Sequence, residues 1–194
     1  MTLPRLYAIT GTPSVAQALI KGGVTLLQYR NKQATPDQIL AEARLIRDEA
    51  GGGVNLIMND RADLCVAAGF DGVHVGADDL SPEAARLVVG SGLLLGVSTH
   101  NAQQVVAANL TSADYIAIGP IFATESKTNP GPVIGLEGLR QARALTSKPL
   151  VAIGGITLEN CQSVRDAGAD SVAVIAALRD DPAKAAQLFL RILN

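Results

Sequence analysis

A chain of 194 residues, 48% hydrophobic and 18% charged, can bury a substantial core and falls outside the disordered class. Its net charge of −2 comes from 16 basic and 18 acidic residues without a Lys/Arg run, which leaves no electrostatic footprint for nucleic acid. Aromatic residues make up only 3%, so Ala, Val, Leu and Ile must build the interior, as suits helices packed on a parallel sheet. The start, MTLPRLYAIT, lacks the charged region and long apolar run of a signal peptide. No apolar stretch reaches the roughly 18 residues of a membrane span, so a cytoplasmic location without membrane contact is expected. Cys65 and Cys161 lie far apart in apolar, helix-like settings and read as small buried hydrophobes without metal-site spacing.

Along the chain, short Val/Ile/Leu runs alternate with Ala-rich segments. The strand candidates are RLYAIT, TLLQYR, VNLIMND, GVHVG, LLLGVS, YIAIGP, PLVAIGG and SVAVIAAL. Helix candidates between them are PDQILAEARLIRDEA, ADLCVAAG, SPEAARLVVG, NAQQVVAANL, GLEGLRQARAL and LENCQSVRDAG. Pro36 and Pro82 sit in first turns, and Gly69, Gly90 and Gly168 follow helix ends. The unit recurs at roughly 24 residues. Eight such units predict one (β/α)8 TIM barrel over residues 1–194. A doubly wound open sheet is the alternative, but no dinucleotide fingerprint follows the first strand. The one long connection, Pro120 to Gly135, is rich in Pro and Gly and reads as a lid or an irregular excursion.

Barrel chemistry sits at the carboxyl ends of the strands. There the second strand leaves Gln28, Arg30 and Lys32, whose spacing of two puts them on one face while the strand persists. The third ends in Asn59 and Asp60, and the fourth passes His74 to reach Asp79. The fifth leaves Ser98, and the sixth opens a loop carrying Thr124, Ser126 and Lys127. Taken singly, each has a plainer reading. Arg30 and Lys32 suit a solvated loop, Asp60 a helix cap, His74 a satisfied core position, and the stretch from Ser98 to Asn101 another cap. Asp79 has no such role, because Ser81 is the better cap ahead of Pro82.

Taken together, Asp60 and Asp79 end adjacent strands about 4.8 Å apart, beside Asn59. They form a hard-oxygen site suited to Mg²⁺. Arg30, Lys32 and Lys127 add positive charge on the same rim, which is apparatus for a diphosphate. Gly154 and Gly155 after the seventh strand, with the end of the eighth, occupy the position where barrels often hold a phosphate. The residues thus imply a diphosphate with its metal on one side and a monophosphate on the other.

The segments LLQYRNK, NDRADLCVAAGFDGVHVGADDL, GVSTHN, ADYIAIGPIFATESK, VAIGGIT and AGADSVAV resemble the thiamine-phosphate synthase family in order and spacing. The resemblance implies a Mg²⁺-dependent transferase that joins hydroxymethylpyrimidine diphosphate to hydroxyethylthiazole phosphate and releases pyrophosphate. It implies that Gln28, Arg30, Lys32, Asn59 and Lys127 hold the diphosphate, Asp60 and Asp79 the metal, and Ser98 and His74 the pyrimidine side. Arg30, Lys32, Lys127 and Ser98 are the residues expected to carry the chemistry. Thr124, Ser126, Gly155, Ile175 and Ala176 are expected near the thiazole phosphate. A homodimer is also expected. Ala77 stands where the family often has Gln, Ala176 where it often has Ser, and the first β-α connection is short. The related thiazole tautomerases carry a His where this chain has Pro120, which argues against that sister activity. Another phosphate-binding barrel and a non-catalytic ligand-binding relative are the remaining alternatives.

Overall fold

The computed structural model describes residues 2–124, 126 and 131–194. Eight strands follow in order: β1 (Leu6–Thr10), β2 (Leu26–Tyr29), β3 (Asn55–Asn59), β4 (Gly72–Val75), β5 (Leu94–Thr99), β6 (Tyr115–Ile118), β7 (Leu150–Ile153) and β8 (Ser171–Val174). Each is followed by a helix: α1 (Pro13–Lys21), α2 (Pro36–Ala50), α3 (Ala62–Ala67), α4 (Pro82–Val89), α5 (Ala102–Asn109), α6 (Gly135–Leu145), α7 (Cys161–Asp166) and α8 (Pro182–Leu193). A 3₁₀ turn, Ala176–Leu178, stands between β8 and α8. Neighbouring strands pair in parallel in sequence order, and β8 closes on β1. The closed barrel is therefore the architecture, and the open-sheet alternative is excluded. Among the described residues no helix is long and apolar enough to cross a membrane.

Strand alternation divides the core in two. Leu6 and Ala8 of β1 join the large cluster between sheet and helices, which also holds Leu27, Leu56 and Leu95. Tyr7 and Ile9 point the other way, into a smaller barrel interior with Leu26, Ile57, Tyr115, Val151 and Ala173. Cys65 and Cys161 are buried and free, as expected of small apolar residues. The helix starts follow their side chains. Thr35 forms a capping box with Gln38, and Ser81, Asn101 and Asp181 accept the amides of Ala84, Gln104 and Lys184.

The amino-terminal face is held by a repeated ionic clamp that the sequence reading did not find. Asp71, Asp114 and Asp170 directly precede β4, β6 and β8. Each accepts a backbone N–H from the first or second residue of the preceding strand, from Leu56 at 2.7 Å, Leu95 at 2.7 Å and Leu150 at 2.8 Å. Each also receives an arginine from the even-numbered helix before it: Arg47, Arg86 or Arg143. The arginines reach onward to loop carbonyls, as Arg86 does to Gly90, Leu93 and Ser112. One carboxylate thus joins a helix, a loop and two strands. At the fourth corner, beside the chain ends, Arg5 donates instead to the carbonyls of Leu193 and Asn194.

The ion pairs are partly exposed, so most of the stabilisation must lie in the bonds from backbone amide to carboxylate. Asp114→Ala, which orphans the Leu95 amide and removes the one carboxylate partner of Arg86 among the described residues, is expected to cost about 2 kcal/mol in urea unfolding. Asp63→Ala, whose partner Arg61 is two residues away on the surface, should cost less than about 0.5 kcal/mol. Equal losses would mean that the clamp adds nothing beyond a surface ion pair.

Candidate active site

All eight carboxyl ends open on one mouth. On its β3–β4 side lies a cavity of about 290 Å³ lined by Lys32, Asn59, Asp60, Arg61 and Asp79. Asp60 has φ of +62°, the left-handed region that Asp and Asn enter more readily than other side chains, and it is the one non-glycine there among the described residues. Its amide donates to the His74 carbonyl at 2.8 Å and that of Arg61 to the Asn59 carbonyl at 2.7 Å, which fixes the bend. Backbone held in a sparsely populated region tends to mark functional sites. The helix-cap reading of Asp60 does not hold, because Arg61 occupies the N-cap of α3 and no side chain caps it.

The Asp60 carboxylate lies 3.1 Å from the Lys32 ammonium. Burial, and then the neighbouring Asp79 carboxylate, push Asp60 above the ordinary carboxylate range, while Lys32 acts in the opposite direction. Asp79 does have a structural role, contrary to expectation: its Oδ2 accepts the Gly76 amide at 2.8 Å and closes the turn after β4. The loop carrying Lys32 is shaped by Asn31, whose Oδ1 accepts the amides of Gln33 and Ala34. Tyr29 and Asn31 both donate to Glu42 of α2 and tie that loop to its helix. No cluster of three or more His, Cys, Asp or Glu side chains occurs among the described residues. Two carboxylates beside a cavity nevertheless match the sparse protein ligation of Mg²⁺, which keeps waters and takes substrate phosphates for the rest.

Nearer β1 and β8, a second cavity of about 360 Å³ is lined by Thr10, Thr12, Arg30, Ser126, Ile175 and Arg179. Neither Arg30 nor Arg179 joins an ion pair among the described residues. Arg179 was missed in the sequence because it follows the 3₁₀ turn, where an arginine reads as a surface residue. Ala176 opens that turn. The Ser126 amide donates to Thr124 Oγ1 at 3.2 Å.

Gly154 and Gly155 have positive φ, and a Cβ on either would strike the β6–α6 loop. The contacts would be 2.6 Å to Pro120 Cα and 2.4 Å to the Ala123 carbonyl. These glycines therefore let that loop pass over the end of β7. The loop's two ends are pinned together by the amides of Ile134 and Gly135, which donate to the carbonyls of Pro120 and Ile121. Lys127, expected to carry chemistry, lies outside the described residues.

The shared face expected for Gln28, Arg30 and Lys32 is absent, because β2 ends at Tyr29 and the alternation ends with it. Arg30 turns to the second cavity and Lys32 to the first. Gln28 is 3% exposed and lies inside the barrel. There it begins a line of hydrogen bonds across the floor of the mouth: Gln28 to Tyr7, Tyr7 to Tyr115, Tyr115 to His74, and His74 to Ser98. Tyr7 and Tyr115 were not anticipated. Their signal was a tyrosine at an inward position of an otherwise aliphatic strand. Asn101 caps α5, so Ser98 is not a cap and is half-buried beside His74.

Two charged cavities flank one polar floor, an arrangement that can hold two anions side by side above a hydrogen-bonding surface. Against known proteins, the family model for thiamine monophosphate synthase matches residues 6–178. A thiamine-phosphate synthase of Koribacter versatilis is 59% identical over 206 residues, covering 100% of this chain and 98% of its own length. One of Chloroflexus aurantiacus is 44% identical over 94% of this chain and 89% of its own. Among solved structures, a thiamine phosphate pyrophosphorylase of Pyrococcus furiosus superposes with a TM-score of 0.89 at 30% identity, covering 97% of this chain and 95% of that one. With the barrel and its paired cavities, these similarities establish that the chain belongs to the thiamine monophosphate synthase family, a family of transferases.

Proposed function

We propose that the protein joins hydroxymethylpyrimidine diphosphate to hydroxyethylthiazole phosphate, with Mg²⁺, to give thiamine phosphate and pyrophosphate. The observation that carries this reading is the pairing of a carboxylate-lined cavity with an arginine-lined one at a single barrel mouth. The diphosphate belongs with Lys32, Asn59, Asp60 and Asp79, and the monophosphate with Thr12, Ser126 and Arg179. Asp60 and Asp79 fit the metal: they are hard oxygen donors, and among the described residues Lys32 offsets their mutual repulsion. When bound, Mg²⁺ supplies positive charge to the departing pyrophosphate.

The aminopyrimidine ring donates electrons to its methylene carbon, so the C–O bond can break before the thiazole nitrogen attacks. The protein's task is then to stabilise negative charge on the leaving group and to hold the two rings in contact away from water. Lys32 and, by the family resemblance, Lys127 neutralise that charge. The neutral floor of Gln28, His74 and Ser98 orients the pyrimidine, and no strong base is needed. Single-turnover formation of thiamine phosphate from the two substrates and Mg²⁺ tests the reading directly. Failure to form product would leave a phosphate-binding barrel of another activity.

Asp60→Asn keeps a side chain tolerant of positive φ and removes one of the two facing carboxylates. Without Mg²⁺ the variant should melt about 2 °C or more above the wild type, since relieving roughly 1 kcal/mol moves a protein of this size by that amount. Added Mg²⁺ should no longer raise its melting temperature. A Mg²⁺-dependent rise that survives the substitution would remove Asp60 from the metal site.

Calorimetry should separate the two cavities. Lys32→Ala should weaken pyrophosphate binding about tenfold or more, and Arg179→Ala should weaken thiazole phosphate by a similar factor, the scale of one charge-assisted hydrogen bond. Arg30→Ala should weaken both, because the resemblance assigns it to the diphosphate while its side chain lines the monophosphate cavity. Finding the Arg179 loss on pyrophosphate alone would reverse the assignment of the cavities.

Lys127→Ala should lower kcat by about 10²-fold and change KM little, the expected result for a donor that acts on charge developed in the transition state. Steady-state kinetics with a wild-type kcat would exclude Lys127 from the chemistry.

A further inference from the structure

The hydrogen-bonded line across the barrel floor has a direction, and that direction follows from counting protons. Gln28 turns its amide nitrogen to Tyr7 Oη at 2.9 Å. The two phenol oxygens are 2.9 Å apart, Tyr115 Oη is 3.1 Å from His74 Nδ1, and His74 Nε2 is 2.9 Å from Ser98 Oγ. An amide nitrogen only donates, so at that contact the Tyr7 oxygen is the acceptor. The single Tyr7 hydrogen must then go to Tyr115, and the single Tyr115 hydrogen to His74 Nδ1. Nδ1 is therefore unprotonated, the imidazole is neutral, and its hydrogen sits on Nε2 facing Ser98. The reverse order, and equally an imidazolium at His74, would strand the Tyr7 hydrogen without an acceptor on a side chain 1% exposed. Burial raises both tyrosines well above their usual range, so both keep the hydrogens this count requires.

We propose that Tyr7 and Tyr115 are positioning residues that hold His74 in its Nε2–H tautomer, so that His74 donates to Ser98 and leaves the serine hydroxyl hydrogen for the substrate. A serine beside a histidine in an enzyme site invites reading as a nucleophile with its base. Here the polarity is opposite. His74 gives a hydrogen bond to Ser98 and takes none from it, so Ser98 is a donor toward an acceptor atom of the substrate and neither a nucleophile nor a base.

The backbone makes room for this arrangement. Gly96 of β5 lies between His74 and Tyr115 in the strand register. A Cβ there would come within 2.0 Å of Tyr115 Cζ, 2.4 Å of its hydroxyl and 2.5 Å of His74 Nδ1. Its φ is not in the left-handed region, so glycine is required at this strand position to make space for the Tyr115–His74 contact. The catalytic use of this device rests on the transferase reading above, whereas the tautomer does not.

The chain has two histidines, His74 and His100, so labelling with ¹⁵N-histidine resolves both rings in long-range ¹H–¹⁵N spectra at neutral pH. The free wild-type protein should show His74 with Nδ1 unprotonated and Nε2 protonated. Tyr115→Phe and Tyr7→Phe should each mix the His74 tautomers and leave the His100 signals in place. In turnover, Ser98→Ala should lower kcat about 10²-fold. Tyr115→Phe should show part of that loss, and the double variant should lose no more than Ser98→Ala alone. A wild-type His74 protonated on Nδ1 overturns the proposal without recourse to any variant, as do losses that multiply in the double variant. If Tyr115→Phe does not fold, Tyr7→Phe tests the same line one link earlier. The expected tautomer in a wild-type protein without turnover would sink the transferase reading and keep the positioning of His74.

Discussion

Closure of β8 on β1 is the constraint from which the site follows. In a closed ring of parallel strands every ladder bond has a partner, and all eight carboxyl ends must open on the same side. Residues more than a hundred positions apart, such as Thr12 and Arg179, then share one cavity. The repeated Asp–Arg clamp works at the other end of the barrel, where it holds helices, loops and strand starts together. Stability and chemistry are thus assigned to opposite faces. The strained backbone of Asp60 and the two cavity-lining arginines, Arg30 and Arg179, lie at the mouth and do not interrupt the packing below.

Charge at the mouth is divided by sign as well as by place. On the β3–β4 side two carboxylates approach each other and, among the described residues, the Lys32 ammonium offsets them, so that side favours a further cation. On the β1–β8 side two guanidinium groups have no ion-pair partner among the described residues, so that side favours an anion. The floor between them is a hydrogen-bonded line with a neutral His74 under the proposal above. Such a floor can orient a polar ring without adding charge, which suits the reaction proposed above.

Glycine acts here through what it omits. Gly96 leaves the space through which Tyr115 reaches His74, and Gly155 leaves the space over which the β6–α6 loop crosses β7. In each case the missing Cβ serves another segment of the chain. The Gly-Gly pair was read as a place for close approach of a phosphate, yet what approaches it most closely is the Ala123 carbonyl and Phe122.

The barrel was legible because its signals are local. Apolar runs bounded by proline and glycine state the strands, and Thr35, Ser81 and Asn101 state the helix starts, each through bonds made within a few residues. The pairing of Asp60 with Asp79 was also legible, since adjacent parallel strands bring their ends together once the order is known. What the tertiary structure decided is where side chains turn once a strand stops. Period-2 alternation carried Gln28, Arg30 and Lys32 onto one face, but β2 ends at Tyr29, and the three residues part toward the interior, one cavity and the other. It also decided the partnership of Tyr7 with Tyr115, 108 residues apart, and the place of Arg179 in the β1–β8 cavity. No pattern within one strand encodes such contacts, because they depend on distances across the barrel that exist only after it closes.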